Sequence, residues 1–188
     1  MQVRTAKMVG ECSIYPKVQR LFKGVMRLCG RYELASRAEH CTDTSVVRLG
    51  TDMEGDAVAI KFMKSREQLE LEVESRTSLF GSEKDNTVVA MVAHTNDGEL
   101  DQSQFMVDAR ELGYANFPHG IVMEAKDRNL AVATLQESLS PDQISDIIRA
   151  VVQCVGQLHQ HAGRIHGDLK QANIMRTCTI CPLWSTSP

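Results

Sequence analysis

The sequence predicts an α+β fold, in which antiparallel strands with one helix are followed by a long amphipathic helix. Two β-branched runs flank a glycine-containing turn at 52–56, which is typical of a hairpin. Further on, apolar residues recur at helical spacing over 144–158. With 188 residues, 43% of them hydrophobic and 24% charged, the chain has the composition of a globular protein.

Charge and composition exclude several functional classes. A net charge of −3 gives no general attraction to nucleic acid or membranes. No apolar run approaches the roughly 20 residues that span a bilayer, and the N-terminus lacks the apolar core of a signal peptide. We therefore expect a soluble, cytoplasmic protein with no transmembrane segment and no nucleic-acid partner. Without a secretory signal, reduced thiols are expected at Cys12, Cys29, Cys41, Cys154, Cys178 and Cys181.

Residues 1–31 form a basic extension. Apolar residues recur within it at helical spacing from Val18 to Cys29, so we expect it to be helical. Such a helix could lie on a membrane surface or on a partner, or pack on the following domain. Its charge comes from Arg4, Lys7, Lys17, Arg20, Lys23, Arg27 and Arg31, against Glu11.

The part of the chain that follows residue 31 is predicted to begin with strands. Runs typical of strands occupy 32–35 and 45–49, and 52–56 has turn composition because its glycine can adopt positive φ. The following run, 57–63, is apolar except for Lys61. Further strands are predicted at 87–93 and 120–125, and the polar stretch 95–104 between them is predicted to be a surface loop.

A helix with a recognisable start follows the hairpin. Ser65 and Gln68 have the spacing of a capping box. Leu69, Val73, Arg76 and Phe80 then fall on one helical face, and Gly81 ends the helix.

The clearest predicted element is a long helix after residue 140. Ser140 and Gln143 have capping-box spacing, and Pro141 occupies the tolerated first helical position. Gly163 is placed to end the helix. Its apolar stripe must be buried against other parts of a protein, and consists of Ile144, Ile147, Ile148, Val151, Val152, Val155 and Leu158.

Three polar side chains closely follow this helix. Phosphoryl transfer needs a carboxylate beside the attacking hydroxyl, cations on the triphosphate and oxygen ligands for Mg²⁺. Asp168 is a candidate base or orienting group for the hydroxyl, and Lys170 is a candidate contact of the transferred phosphate. Asn173 offers a neutral oxygen to Mg²⁺, which prefers oxygen ligands. The alternative is a surface loop with a capping aspartate.

The segment 166–174 reads His-Gly-Asp-Leu-Lys-Gln-Ala-Asn-Ile, which resembles the catalytic loop of serine/threonine protein kinases. Upstream, Val-Ala-Ile-Lys at 58–61 resembles the family's strand motif, whose lysine contacts the α- and β-phosphates of ATP. A lysine inside an apolar run requires a paired charge. Glu72 is the natural partner of Lys61, with Glu70 and Glu74 as alternatives.

The resemblance extends to the fifth strand and hinge of the family, at 120–126. It implies that Met123 is the gatekeeper and that backbone groups of Glu124 and Lys126 face adenine. Met123 as an ordinary core residue is equally compatible with the sequence. The resemblance further implies ATP and Mg²⁺ as cofactors and a protein substrate or partner.

The sequence departs from the family pattern at three places. Glu39, Cys41 and Thr44 stand where glycines of the phosphate-covering loop are expected, which predicts weak ATP binding because glycine lets backbone N–H groups approach phosphates. Gly167 replaces the usual arginine of His-Arg-Asp. No Asp-Phe-Gly follows Asn173, so a metal-binding carboxylate is missing.

The resemblance divides the chain into four parts: the extension 1–31, a kinase-like small lobe 32–126, the start of the helical lobe with the catalytic loop 127–176, and a tail 177–188. The long helix 141–161 would lack the helices that cover it in this family, and would then require a partner.

The function that the resemblance implies is ATP-dependent phosphoryl transfer to protein Ser/Thr, with this chain alone expected to be inactive or nearly so. One alternative is a non-catalytic, pseudokinase-like interaction module. A second alternative is a small-molecule kinase similar to aminoglycoside and choline kinases, which share the His-Gly-Asp sequence.

Overall fold

The protein contains two antiparallel sheets and four α-helices among the residues that the computed structural model describes. These residues are 26–77, 89–96, 99–126, 128–163, 165–176 and 184–186.

The larger sheet has six strands, in the spatial order β1-β2-β3-β4-β6-β5. They are β1 (Met26–Leu28), β2 (Tyr32–Cys41), β3 (Ser45–Thr51), β4 (Ala57–Met63), β5 (Met91–His94) and β6 (His119–Glu124). The smaller sheet consists of β7 (Arg128–Asn129), β8 (Ile174–Arg176) and β9 (Trp184–Thr186). The helices are α1 (Arg66–Thr77), α2 (Gln102–Glu111), α3 (Leu130–Gln136) and α4 (Pro141–Ala162), and Gln171–Asn173 forms a 3-10 turn.

The hairpin predicted around the glycine turn is confirmed as β3 and β4. The carboxylate of Asp52 accepts hydrogen bonds from the backbone N–H groups of Glu54 and Asp56 at 3.1 and 2.8 Å. Gly55 has a φ of +92°, a conformation that L side chains rarely adopt. The pairing runs without interruption from Thr51 opposite Ala57 to Ser45 opposite Met63. This regular ladder fixes which side chains of β4 share a face.

The larger sheet is covered on both faces, because each face of β4 packs into a different core. Val58, Ile60 and Phe62 belong to a core that includes Phe105 and Ala109 of α2. On the other face, a smaller core combines α1 and the sheet, and contains Met63, Leu69, Val89, Ile121 and Met123. Lys61 is partly buried on the same face as Met63, the face that α1 covers.

Helix α2 corrects only the end of the loop predicted over 95–104, because 102–104 are helical. The described residues 95–96 and 99–101 lie outside helices and strands. Asp101 caps the helix by accepting hydrogen bonds from the N–H groups of Ser103 and Gln104. The helix was missed because a carboxylate sits on its inner face: Asp108 is buried and accepts a 2.6 Å hydrogen bond from the backbone N–H of Cys29. The charged residue breaks the apolar periodicity that identifies a helix.

The long predicted helix is confirmed as α4, with both of its ends. Ser140 and Gln143 form the reciprocal capping box, and Gly163 ends the helix with a φ of +60°. The apolar stripe is only partly buried. Ile147 and Leu158 are covered, whereas Ile144, Ile148 and Val152 are 45%, 58% and 65% exposed. Among the described residues, α4 packs on α3 and Ile174 through one side of the stripe.

Three further expectations differ from the structure. Met26–Leu28 is a strand paired with β2, so the described end of the basic extension is not helical; residues 1–25 lie outside the described residues. Trp184–Thr186 pairs with β8 and adds a strand where a tail was predicted. Cys41 is disulfide-bonded, while Cys29 and Cys154 form no disulfide. Both strands are only three residues long, which is too short for their side-chain pattern to identify them.

Two predicted boundaries lie outside the described residues. One is the end of the first helix at Phe80 and Gly81, and the other is the start of the strand predicted at 87–93. The part of that strand which is described forms β5.

The substitution Gly120→Ala, which adds one methyl group, tests the packing of α2 on the sheet. A Cβ added at Gly120 would overlap the ring of Phe105, whereas one added at Gly156 in α4 meets open space. We expect Gly120→Ala to lower the free energy of unfolding by about 1–3 kcal/mol through overpacking. Gly156→Ala, the control, should raise it by up to about 1 kcal/mol through helix propensity. Urea denaturation measures both. Equal stability of Gly120→Ala and the wild type would show that α2 does not pack there.

Candidate functional site

The centre of the candidate site is a buried carboxylate held by two cations. Lys61 on β4 donates from Nζ to Oε2 of Glu72 on α1 at 2.5 Å. Arg76, one helical turn further along α1, donates from Nη2 to Oε1 of the same carboxylate at 2.8 Å. Arg76 also donates to the backbone carbonyl of Val89. The partner of Lys61 is therefore Glu72, and the alternatives Glu70 and Glu74 are not needed.

Burial by itself would raise the pKa of the Glu72 carboxyl group. The positive charges of Lys61 and Arg76, together with their hydrogen bonds, outweigh this effect and hold the pKa below its ordinary value. Glu72 is consequently ionised at neutral pH, and the ion pair fixes the ammonium group of Lys61 on the face of the sheet that α1 covers.

The predicted catalytic loop forms a connected polar cluster. Lys170 Nζ lies 2.7 Å from Oδ2 of Asp168, and the side-chain amide of Asn173 donates to the carbonyl and to Oδ2 of Asp168 at 2.8 and 3.0 Å. The Lys170 hydrogen bond, followed by that of Asn173, lowers the pKa of Asp168. The structure thus brings together Asp168, Lys170 and Asn173. Asp168 and Lys170 are exposed, Asn173 is half-buried, and Asp168 is an anion.

Glycine at position 167 has a local structural reason. Its φ is +70°, in the left-handed region that favours glycine. The turn is closed by the N–H of Asp168, which donates to the carbonyl of His166 at 2.9 Å. An arginine at this position would adopt an unfavourable backbone conformation.

One cavity joins the ion pair to the start of the catalytic loop. It has a volume of about 450 Å³. Its walls come from β4, α1, the C-terminal part of α4 and the segment that leads into Asp168. The lining residues are Lys61, Gln68, Leu71, Glu72, Ser75, Leu158, Ile165 and His166. Lys61 therefore shares this cavity with Ile165 and His166, the residues that lead into the catalytic loop.

The predicted hinge lies at the end of β6. Met123 is buried in the core on the α1 side of the sheet and pairs with Ala59 of β4. The N–H of Glu124 donates to the carbonyl of Ala90, which leaves its carbonyl as the group available to a ligand. The side chains of Glu124 and Lys126 form an ion pair of 2.5 Å.

The segment in the position of the glycine-rich loop is a tight hairpin connection. Cys41 pairs with Val46, and three residues, Thr42 to Thr44, connect the strands. The hydroxyl oxygen of Thr42 accepts hydrogen bonds from the backbone N–H groups of Thr44 and Ser45, at 3.3 and 3.0 Å. Glu39 is the extra residue of a bulge between Ala38 and His40. Sequence reasoning did not identify the role of Thr42.

Arg76 was also missed as part of the site. It was assigned only to the packed face of its helix, yet its spacing of four residues from Glu72 is the spacing of helical ion pairs. Arg76 is thus an additional cation beside Glu72, and its spacing in the sequence could have indicated it.

Metal binding was tested against the donor atoms of the loop. Asp168 and Asn173 provide a carboxylate and an amide oxygen, which suits Mg²⁺ because this cation binds few protein ligands and keeps water or phosphate oxygens. No cluster of three or more His, Cys, Asp or Glu side chains able to hold a metal ion occurs in the described part of the chain. In that part, no helix is long and apolar enough to cross a membrane.

The Glu72 ion pair predicts a pH-dependent stability. A carboxyl group whose pKa is lowered by folding stabilises the protein fully above its ordinary value of 4.5, and this contribution is lost as the pH falls through the lower folded value. We expect Glu72→Gln to cost at least about 2 kcal/mol at pH 7, since it leaves buried cations unpaired. The difference from the wild type should shrink at pH 3.

The control is Glu70→Gln, which breaks the exposed Arg66–Glu70 pair and should cost less than about 1 kcal/mol. Denaturant unfolding at the two pH values measures these differences. If Glu72→Gln were as stable as the wild type at pH 7, the ion pair would not have the role described.

Comparison with known proteins adds evidence on the fold. No protein-family model matches the chain, and no curated protein matches it. Among solved structures, the kinase domain of maize sucrose-induced receptor kinase 1 bound to AMP-PNP matches over 80% of this chain, with 14% identity and a TM-score of 0.56. Rad53 in complex with AMP-PNP matches over 84% of this chain, with 15% identity and a TM-score of 0.59.

This chain spans 49% of the maize kinase-domain chain and 38% of the Rad53 chain. At such low identity the likeness establishes the fold alone. The described part of the chain has a protein-kinase-like α+β fold, with a curled antiparallel sheet and associated helices.

Proposed function

We propose that this chain binds ATP in a kinase-type cleft and that its polar residues are arranged for phosphoryl transfer to a Ser/Thr hydroxyl of a protein. One observation carries the proposal: Lys61 and His166 line the same cavity. Glu72 holds Lys61 in place, and His166 lies two residues before Asp168. The two solved structures described above hold an ATP analogue, AMP-PNP, which supports a nucleotide as the ligand.

Lys61 supplies the cation for the α- and β-phosphates. It is partly buried, and Glu72 and Arg76 fix the position of its ammonium group through a connected network. A flexible lysine would lose entropy on binding, whereas a fixed one has already been ordered by folding. Glu72 is therefore a positioning residue for Lys61.

The adenine end of the cleft is assigned to the end of β6. Met123 closes the back of the cleft as the gatekeeper, next to Ala59. The carbonyl of Glu124 and the backbone of Lys126 are the hydrogen-bonding groups proposed for adenine. The N–H of Glu124 is excluded, because it already bonds to Ala90.

Asp168 orients the substrate hydroxyl. Because its pKa is lowered by Lys170 and Asn173, the carboxylate is ionised and accepts the hydrogen bond of the hydroxyl. The hydroxyl oxygen forms a bond to the γ-phosphorus, the bond from phosphorus to the bridging oxygen of ADP breaks, and the hydroxyl proton passes to Asp168. Lys170 stabilises the charge on the transferred group.

Asn173 would hold a magnesium ion through its amide oxygen, because the Asp168 carboxylate is assigned to the substrate hydroxyl. When bound, the ion supplies charge neutralisation of the phosphates. The sequence contains no Asp or Glu after Asp168. Because a second metal-binding carboxylate is missing there, we expect this chain alone to transfer phosphate at or near the background rate.

A second candidate function is a non-catalytic, pseudokinase-like interaction module. Ile144, Ile148 and Val152 on α4 are exposed in the described structure, and apolar surface of this kind is typical of a binding surface.

A third candidate is a small-molecule kinase of the aminoglycoside and choline kinase type. Glycine at position 167, which its positive φ favours, is the observation behind it.

Ligand-induced stabilisation tests nucleotide binding. Mg²⁺-ATP at about five times its Kd should stabilise the native state by about 1 kcal/mol, which raises the Tm by about 2–4 °C for a protein of this size. We expect Lys61→Met to abolish this shift. Lys64→Met, at an exposed lysine just after β4, is the matched control and should retain it. No shift in the wild type at any ATP concentration would favour the interaction module.

Transfer of the γ-phosphate from Mg²⁺-ATP tests the catalytic part. With a generic protein substrate, we expect turnover by the wild type to equal that of Asp168→Ala. Turnover that Asp168→Ala abolishes would contradict the expected inactivity. Phosphate that appears on an amino sugar or on choline, and never on protein, would establish the small-molecule alternative.

A further inference from the structure

The connection between β2 and β3 lies near the level of Lys61 in the sheet. Val47 of β3 pairs with Lys61 and Ser45 pairs with Met63, so the connection, which begins at Thr44, is three residues beyond the level of Lys61. It is anchored to β4, because the N–H of Lys64 donates to the carbonyl of Thr44 at 3.0 Å. In the proposed site Lys61 contacts the phosphates, so a connection anchored this close to Lys61 is near enough to offer them backbone N–H groups.

The N–H groups of this connection are already used within the hairpin. Thr42 donates its own N–H to the carbonyl of Ser45 at 2.8 Å. The Thr42 hydroxyl oxygen accepts the N–H groups of Thr44 and Ser45. Three of the four N–H groups from Thr42 to Ser45 therefore have partners inside the turn, and two of these depend on one side chain.

Two acidic side chains near the connection also oppose phosphate binding. Asp43 is exposed at the tip of the connection, and Glu39 is exposed in the bulge of β2. Carboxylates at this edge repel a triphosphate, while they have little effect on an uncharged nucleoside. Lys61 is the lysine that lines the described cavity.

Building on the proposed nucleotide site, we propose that Thr42 is a specificity-determining residue. Its hydroxyl withdraws the Thr44 and Ser45 N–H groups from the cleft, so that the cleft selects for the nucleoside part of its ligand and gains little from the β- and γ-phosphates. Removal of the hydroxyl frees two N–H donors for the phosphates. A hydrogen bond from a backbone N–H to a charged phosphate is stronger than one to a neutral hydroxyl oxygen.

The experiment compares the affinities of the full chain for Mg²⁺-ATP and for adenosine by isothermal titration calorimetry. We expect ATP to bind no more than about tenfold more tightly than adenosine to the wild type. Thr42→Val removes the hydroxyl but keeps the branched shape, and should raise the affinity for ATP about tenfold while leaving that for adenosine unchanged. Thr42→Ser keeps the hydroxyl and should behave as the wild type.

Thr42→Gly is a second variant that also frees both N–H groups, and thermal unfolding establishes that each variant is folded. An ATP preference above about a hundredfold in the wild type, or an unchanged ATP affinity in both Thr42→Val and Thr42→Gly, would overturn the role of Thr42 and leave the nucleotide site intact. Absence of binding of both ligands to every variant would overturn the nucleotide site and this role together.

Discussion

The carboxylate of Glu72 is the constraint on which the arrangement of the site depends. A buried charge is tolerated only when it is paired, and each oxygen of Glu72 has its own cation, Lys61 on β4 and Arg76 on the same helix. Arg76 in turn holds the backbone at Val89, just before β5. One ionic network thereby fixes helix α1, the central strand and the entry to β5 relative to one another.

The covered sheet explains how this network can be held rigidly. Helix α2 packs on the face that carries Phe62, and its Asp108 binds the turn at Cys29. Helix α1 covers the other face, where Lys61 reaches the cavity. A strand buried on both faces has little freedom to shift its register, because a slip of one residue would exchange Lys61 with an apolar core residue.

The sequence was informative where local chemistry determines structure. The turn at Gly55, the capping box of Ser140 and the left-handed Gly163 follow from residue-level preferences, and all three were predicted. The choice of Glu72 over its neighbours required the orientation of α1. Local patterns could not reveal α2, because buried Asp108 interrupts its apolar face, nor the extent to which α4 is covered, because that depends on which elements pack against it.

The proposed nucleotide site requires Lys61 and the loop from Asp168 to Asn173 to lie close to one bound ligand. Paramagnetic line broadening by Mn²⁺-AMP-PNP, recorded on backbone amide signals of the ¹⁵N-labelled chain, measures this proximity, since it detects even sparsely occupied complexes. We expect the signals of Lys61, Val47, Asp168 and Asn173 to broaden together with the same dependence on ligand concentration. Broadening confined to the strands or to the loop, or found only on another surface, would contradict it.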